Sequence, residues 1–115
     1  MTVFDPKTGP TYRDMLPVPP SPEDAPNCAT AGVLGVLPGI IGSIQAVEAI
    51  KVILDLGNTL VGRLLIFDAL DMEFSEYGLA VDDTNPVTFA RRDEIQIVDL
   101  DELCSPAMST PERHT

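Results

Sequence analysis

The sequence is poor in the side chains that carry most covalent and metal chemistry. Its 115 residues include two cysteines, one histidine and no tryptophan. The histidine, His114, has no partner motif that would make a Cys–His pair or an acid–base pair. The acidic residues at 82–83 and 99–102 lack the spacing of a calcium loop. These absences argue against histidine-based catalysis and against a metal site built from acidic residues.

Basic residues are also scarce. Seven Lys and Arg residues stand against 18 Asp and Glu residues, and the formal net charge is −11. A surface of this charge repels nucleic acids and anionic membranes, so neither is an expected partner. Adaptation to high salt and selection for solubility both produce the same balance, and the sequence does not separate them.

Targeting and membrane signals are missing as well. Residues 1–5 lack the charged and apolar regions of a signal peptide. The longest apolar run is interrupted and is expected to be too short to span a bilayer. Two cysteines far apart in the chain fit a reducing compartment. A cytoplasmic protein is predicted.

A phosphate-binding loop of the dinucleotide type is not found. That motif places Gly-x-Gly-x-x-Gly between a strand and a helix. The nearest glycines, at 32, 35, 39 and 42, open no such unit. Their expected role is close packing against another backbone, so no cofactor-binding residue is predicted.

The clearest secondary-structure signal is a helix that begins near Pro38. Proline suits the first helical turn, and apolar residues recur at helical spacing as far as Leu54. Gly57 and Asn58 are typical of a helix end. Ahead of the helix, five prolines within residues 16–26 predict an extended, irregular loop.

Two strands are predicted after the helix. Residues 62–68 are apolar on both faces, which is typical of a buried interior strand. The apolar pattern of residues 72–81 changes phase, which predicts a β-bulge near Ser75 and Glu76. The two strands are expected to form an antiparallel hairpin, and weaker signals predict short strands at 2–4 and 95–98.

These signals divide the chain into four parts. Residues 1–31 are expected to hold a strand and the proline-rich loop, and residues 32–90 the helix and hairpin core. Residues 91–104 are expected to hold a short strand and a helical turn, and residues 105–115 a disordered tail. The predicted fold class is α/β, with one main helix and a small, largely antiparallel sheet.

Five sequence features, taken in order, resemble one enzyme family. They are Tyr12-Arg13, the proline loop, the run Asn-Cys-Ala-Thr-Ala-Gly that begins residues 27–42, the segment Gln-Ala-Val-Glu-Ala-Ile-Lys at 45–51, and the runs at 62–65 and 67–69. Together they resemble the C-terminal half of the MoeB/ThiF group of ubiquitin-activating-like enzymes. The resemblance extends from about residue 3 to about residue 87 and implies a segment of a Rossmann-like fold.

The resemblance implies an activity for a complete enzyme of this kind. Such enzymes bind ATP and magnesium in an N-terminal half and adenylate the C-terminal carboxylate of a small ubiquitin-like sulfur-carrier protein. These carriers serve molybdopterin synthesis, thiamine synthesis and tRNA thiolation. The C-terminal half supplies a crossover loop over the carrier's tail, which corresponds here to residues 16–26.

Cys28 falls on the family's cysteine position. In members that use it, this thiol accepts the carrier as a thioester or an acyl-disulfide, and a thiolate attacks an activated acyl group readily. A position at the start of a helix favours the thiolate. The alternative is a buried cysteine without a chemical role. Cys104 matches no motif.

The chain departs from the family pattern in two respects. The family's ATP-contacting residues lie outside the resembling segment, so ATP and magnesium are expected to bind elsewhere and the isolated chain is expected to be inactive. A truncated gene, a misassigned start codon and one half of a split enzyme all fit this pattern. The family's four structural zinc cysteines are replaced by Thr11, Asp14, Asn85 and Thr88. No zinc is therefore expected, and the loss is expected to remove the connection between the proline loop and the hairpin.

Three interpretations remain open at this stage. The chain is a carrier-binding enzyme fragment that uses Cys28, a non-catalytic binding module, or a truncated inactive remnant. The expected partners are a ubiquitin-like sulfur carrier and either a second copy of the chain or a separate ATP-binding half. Six apolar residues are not expected to be covered all at once in so small a chain: Leu34, Leu37, Ile41, Leu64, Leu65 and Ile66.

Overall fold

The computed structural model describes residues 1–21, 23–24, 29, 32–97 and 99. In chain order its elements are helix α1 (Tyr12–Met15), helix α2 (Leu37–Leu54), strand β1 (Arg63–Asp68), strand β2 (Glu73–Gly78) and a 3-10 helix (Phe89–Glu94). One main helix and a two-stranded antiparallel sheet agree with the predicted α/β fold class. The combination is consistent with a segment of a Rossmann-like fold.

Helix α2 follows the local signals in its sequence. Pro38 lies in the first turn, where the missing N–H group costs no hydrogen bond. Asp55, the residue that follows the helix, adopts the left-handed conformation (φ 53°) and donates its N–H to the carbonyl of Lys51. A second left-handed residue, Gly57 (φ 63°), follows. The predicted helix is confirmed, and aspartate takes the first left-handed position because its short polar side chain tolerates it.

Glu48 is the one residue of α2 that is buried. Its carboxylate accepts a hydrogen bond from the backbone N–H of Leu60 at 2.9 Å and forms an ion pair with Lys51. Lys51 also donates to the carbonyl of Asn58 at 2.7 Å. The helix is thereby tied to the segment that leads into β1.

The hairpin prediction is confirmed, but the predicted bulge is wrong. Ser75 and Glu76 pair with successive residues of β1 in an uninterrupted antiparallel register. A bulge is needed only when all apolar residues must reach one buried face. Here Phe74 and Tyr77 lie on opposite faces of the strand, and both are more than half exposed.

Strand β1 lies between β2 and the N-terminal segment. The amino group of Met1 and the N–H of Leu65 form reciprocal bonds with the opposite carbonyls, at 2.6 and 2.7 Å. Of the short strand predicted at 2–4, the structure shows a single parallel bridge between Val3 and Val61. The prediction that β1 is buried is wrong, since Ile66 is 44% exposed and the rest is at most half-buried. The physical reason is that α2 does not pack directly on either strand, so among the described residues no helix forms a second layer over the sheet.

Few residues are buried in the described part of the chain. The buried residues there are Pro10, Glu48, Leu60 and Asn85. Of the six apolar residues expected to lack cover, Leu34 and Ile66 are exposed and the others are half-buried: Leu37, Ile41, Leu64 and Leu65. The expected lack of cover is confirmed for these positions.

Helix α2 also bears on the membrane expectation. Its 18 residues are long and apolar enough to cross a membrane by length and composition alone, which contradicts the expectation that no run is long enough. Most of the helix surface is exposed in the structure. Core helices that pack against another domain have the same length and composition, so the helix requires a cover of some kind.

The remaining local predictions have mixed outcomes. Tyr12–Met15, which gave no clear signal in the sequence, forms α1. The described residues at 16–21, 23 and 24 contain no helix or strand, as expected for the proline-rich loop. The strand predicted at 95–98 is not formed by Ile95–Ile97. Residue 98 and, apart from Asp99, the turn and tail predicted after it lie outside the described residues.

Candidate functional site

Cys28, the predicted acyl acceptor, lies outside the described residues, as do Cys104 and His114. Its assignment stays a prediction from the sequence. Ala29, the next residue along the chain, has helical geometry, and α2 begins at Leu37.

The structure describes the four positions that the sequence resemblance aligns with the family's zinc cysteines. Thr11 precedes α1 and donates its backbone N–H to Oδ2 of Asp14 at 2.8 Å. A carboxylate three residues into a helix is well placed for this bond, because it satisfies an N–H that has no partner inside the helix. Thr11 and Asp14 therefore form one rigid turn.

Asn85 joins this turn from the far side of the hairpin. Its side-chain amide donates to Oδ1 of Asp14 at 2.9 Å and to the hydroxyl of Thr11 at 3.2 Å. Its amide oxygen accepts the N–H of Val87 at 2.8 Å. Thr11 in turn donates its hydroxyl to the carbonyl of Val87 at 3.0 Å, and Asp14 accepts the N–H of Asp82 at 2.8 Å. We call Thr11, Asp14 and Asn85 the Asp14 cluster.

The cluster corrects one expectation from the sequence. Replacement of the cysteines was expected to remove the connection between the proline loop and the hairpin. The structure instead joins α1, just ahead of the loop, to residues 82–87 after the hairpin, through side-chain amide, hydroxyl and carboxylate groups. Asn85 is buried, with 5% of its surface exposed, and in the described residues every buried side-chain polar atom has a hydrogen-bond partner.

The electrostatics of the cluster favour an ionised carboxylate. Partial burial acts to raise the pKa of Asp14, but the N–H groups of Asp82 and Thr11 and the amide of Asn85 act against it. The net result is a pKa below the ordinary value for aspartate. Asp14 therefore accepts hydrogen bonds as a carboxylate at neutral pH.

The fourth position, Thr88, lies beside the cluster. It precedes the 3-10 helix and, with Thr11 and Asp14, lines a cavity of about 270 Å³. Lys7 and Phe89 contribute to the same wall. Thr11, Asp14, Asn85 and Thr88 therefore lie close together in the structure, and their correspondence to the family's zinc cysteines stays a prediction from the sequence. In the part of the chain that is described, no group of three or more His, Cys, Asp and Glu side chains is arranged to hold a metal ion.

One structural residue was missed by the sequence argument. Glu48 was noted only as part of the run at 45–51, whereas the structure makes it the acceptor for Leu60 and the partner of Lys51. The available signal was a carboxylate followed three residues later by a lysine, in the middle of an otherwise apolar helix. Such a pair is costly to bury unless it is hydrogen-bonded.

A second concave surface lies between α2 and the N-terminal segment. It has a volume of about 350 Å³ and its lining is mainly apolar. Residues from both sides contribute to it, including Val3, Ala49, Val52 and Ile53. No titratable group other than Glu48 and the Met1 amino group lines it, which is typical of a packing surface rather than a reaction site.

Comparison with known proteins identifies the relatives of the chain. "Probable adenylyltransferase/sulfurtransferase MoeZ" of Mycobacterium tuberculosis is 38% identical over 96 residues, which cover 84% of this chain and 23% of that protein. "Sulfur carrier protein adenylyltransferase" of Thermus thermophilus is 42% identical over 96 residues, 84% of this chain and 35% of that protein. "SAMP-activating enzyme E1" of Haloferax volcanii is 47% identical over 98 residues, 84% of this chain and 36% of that protein.

The chain thus spans about a quarter to a third of the length of these relatives. No solved structure shows a significant match to it. The ThiF family matches residues 1–87, which include α1, α2, the hairpin and the Asp14 cluster. The family resemblance drawn from the sequence is therefore confirmed: the chain belongs to the ThiF family.

Proposed function

We propose that this chain is the carrier-binding part of a ThiF-family adenylyltransferase and that it works together with an ATP-binding part. The observation that carries the proposal is the family match over residues 1–87. Two relatives are named for adenylyl transfer and one for activation of a carrier of the SAMP type. The partner of the present chain is accordingly a small ubiquitin-like sulfur-carrier protein.

The ATP-binding part is proposed because this sequence has no Gly-x-Gly-x-x-Gly unit between a strand and a helix. ATP and magnesium would bind that other part, whether it lies on a separate chain or in a longer protein. The exposed apolar face of α2 supports the proposal that ATP binds to a separate part, because that part could pack against it. Ile53 is 78% exposed, Leu54 is 58% exposed, and Val47 and Ile50 are each 54% exposed. Their spacing puts these four residues on one side of the helix, and an exposed apolar face of this kind is typical of a surface that packs against another domain.

Cys28 is the proposed acyl acceptor. In the ATP-binding part, the carrier's C-terminal carboxylate attacks the α-phosphate of ATP and releases pyrophosphate. The Cys28 thiolate then attacks the acyl carbon, AMP leaves, and a thioester forms. The proline-rich residues 16–26 are proposed to lie over the carrier's tail. The described residues of that segment support this role, because they form neither helix nor strand and their carbonyl groups are not committed to a regular ladder that would exclude an extended peptide.

The experiment combines the chain with the ATP-binding part of the Haloferax volcanii relative, a ubiquitin-like sulfur carrier, ATP and magnesium. Exchange of pyrophosphate into ATP reports adenylation, and intact mass reports a carrier adduct. Cys28→Ser is expected to abolish the adduct and leave exchange unchanged. Cys104→Ser is the matched control and is expected to change neither.

The outcomes separate the interpretations. Full activity with Cys28→Ser and no adduct favours a non-catalytic binding module. Failure of the chain to support exchange, although the relative's own C-terminal part does so, favours an inactive remnant. A chain that floats with lipid vesicles instead of binding the ATP-binding part would indicate that α2 is covered by a membrane.

The assembly and location are part of the same proposal. We expect a homodimer, or a heterodimer with the ATP-binding part, in the cytoplasm. Light scattering coupled to size-exclusion chromatography measures the assembly directly. A monomer that unfolds cooperatively and binds no dye specific for apolar surface would contradict it.

A further inference from the structure

We propose that the Asp14 cluster is a metal-independent clasp, which holds α1, just ahead of the proline-rich loop, to residues 82–87 after the hairpin by hydrogen bonds alone. The inference concerns the family's zinc position and does not depend on the proposed function. The residues at this position differ from the cysteines that the family resemblance implies. The place where the family resemblance implies a zinc ion holds two threonines, an aspartate and an asparagine.

The donor set does not fit zinc. Structural zinc sites are tetrahedral and use thiolates or imidazoles, with carboxylates as a less frequent ligand. Of the four side chains only Asp14 is of a type that zinc accepts readily. A neutral hydroxyl and a neutral amide contribute no charge to offset the loss of water from a dication.

The atoms that remain are also already engaged. Oδ2 of Asp14 accepts the N–H of Thr11, and Oδ1 accepts both the N–H of Asp82 and the amide of Asn85. The amide oxygen of Asn85 accepts from Val87. A metal ion could reach Asp14 only by breaking bonds that the chain itself supplies.

The same bonds perform the mechanical role that a zinc ion would have. The bonds from Thr11 and Asp14 to Asp82, Asn85 and Val87 join residues that are 68 to 76 positions apart in sequence. Joining such distant segments restricts the chain in a way that bonds within one turn do not. Burial of Asn85 makes its bonds difficult to replace by water, since an unpaired buried amide is unfavourable.

The first test measures metal. The full chain is produced in zinc-supplemented medium and analysed by inductively coupled plasma mass spectrometry, and its thermal midpoint is recorded with and without a strong chelator. We expect much less than one zinc per chain and the same midpoint in both conditions. A variant with Cys28→Ser and Cys104→Ser is measured in parallel. One zinc per chain in that variant, or a midpoint lowered by the chelator, would overturn the proposal.

The second test measures the clasp itself. Asn85→Ala is compared with Asn58→Ala, which removes an exposed asparagine whose described contacts use only its backbone carbonyl. Hydrogen exchange at the backbone N–H groups of Asp82 and Val87 is expected to accelerate at least tenfold in the first variant and to stay unchanged in the second. Equal exchange in Asn85→Ala and the unaltered chain would overturn the proposal.

A milder variant keeps the test decisive if Asn85→Ala does not fold. Thr11→Val preserves the size of the side chain but removes the hydroxyl. That hydroxyl donates to the carbonyl of Val87 and accepts from the side-chain amide of Asn85. The variant is expected to accelerate exchange at Val87 while the protection of the hairpin N–H groups is retained. Unchanged exchange at Val87 would count against the clasp.

Discussion

The buried polar groups of this chain have their partners, whereas its apolar surfaces do not. In the described residues every buried side-chain nitrogen and oxygen is hydrogen-bonded. Leu60, in contrast, is the single large apolar side chain that is buried there, and Ile53, Leu54 and Phe74 are all more than half exposed. The polar connections are thus complete within the chain, and the apolar faces are arranged to be covered by something else.

The difference shows which contacts belong to the chain and which belong to an assembly. Hydrogen-bonded connections such as Glu48 with Leu60 need only residues that the chain supplies. Burial of an apolar helix face contributes about 25 cal/mol per Å² removed from water, and this contribution is realised only when a second surface packs against it. Substitutions on the exposed face of α2 and at Glu48 separate the two kinds of contact.

The largest effect is expected on the exposed face of α2. Ile53→Lys should abolish binding to the ATP-binding part, because a lysine charge in an apolar interface is strongly unfavourable. The same substitution should change the unfolding free energy of the isolated chain by less than about 0.5 kcal/mol, because Ile53 is 78% exposed. Titration calorimetry and urea unfolding followed by circular dichroism measure the two quantities.

Leu70→Lys is the matched control for that variant. Leu70 is 94% exposed but lies in the hairpin turn, away from α2. It is expected to change neither binding nor stability. Equal loss of binding in both variants would show that charge, and not the α2 face, is responsible.

The next largest effect is expected at Glu48. Glu48→Ala leaves the N–H of Leu60 and the ammonium group of Lys51 without their carboxylate. The expected loss is about 2–3 kcal/mol of unfolding free energy. Glu94→Ala, a change at an exposed position, is the control and should stay within about 0.5 kcal/mol. A loss below 1 kcal/mol at Glu48 would mean that water replaces the carboxylate.

A pH dependence follows from the same residue. Burial acts to raise the pKa of Glu48, but the hydrogen bonds and charge from Lys51, the N–H of Leu60 and the charge of Arg63 lower it below the ordinary value of 4.5. A carboxylate with a lowered folded-state pKa contributes stability that is present above its unfolded-state pKa. That stability is lost as the pH falls through the folded-state pKa.

The measurement is the difference in unfolding free energy between the unaltered chain and Glu48→Gln at several pH values. The variant keeps an acceptor for Leu60 but carries no titrating group at this position. The difference is expected to be greatest at neutral pH and to shrink as the pH falls below about 4.5. A difference that does not depend on pH would show that the charge of Glu48 contributes nothing.

The smallest effect is expected at the ion pair on the hairpin. Nη1 of Arg63 lies 3.3 Å from Oε1 of Glu76, and the two side chains are 36% and 47% exposed. Solvent screening leaves such a pair with little net stabilisation, so Glu76→Ala should cost about 0.5 kcal/mol or less. Arg63 keeps its bond to the carbonyl of Thr59 at 2.8 Å in the variant. A loss above 1 kcal/mol would show that the pair is coupled to the sheet more strongly than its exposure indicates.

The local elements were predictable because their signals lie within a few residues. Pro38 marks the first turn of α2, and the chain turns just after Leu54, as its residues indicate. The hairpin could also be predicted, from two apolar runs separated by a short turn. The absence of a bulge could not be predicted. The phase change at Ser75 has a structural consequence only if one face of β2 is buried. That burial depends on what covers the sheet.

The candidate site divides in the same way. Cys28 and the four positions aligned with zinc cysteines were identified from the order of motifs alone, and both assignments stay predictions. That the replacements would bond to one another could not be predicted from spacing, since Asp14 and Asn85 are 71 residues apart. Their bond depends on the path that the chain takes between them.

By itself, the sequence determined the family, the main helix and the hairpin, because periodicity, turn chemistry and motif order are properties of neighbouring residues. The tertiary structure alone decided that Asn85 donates hydrogen bonds to Asp14 and Thr11, and that Glu48 accepts one from the N–H of Leu60. It also decided that the apolar face of α2 stays exposed. These features depend on which distant groups come within hydrogen-bonding or packing distance, and that distance is set by the folded path of the whole chain.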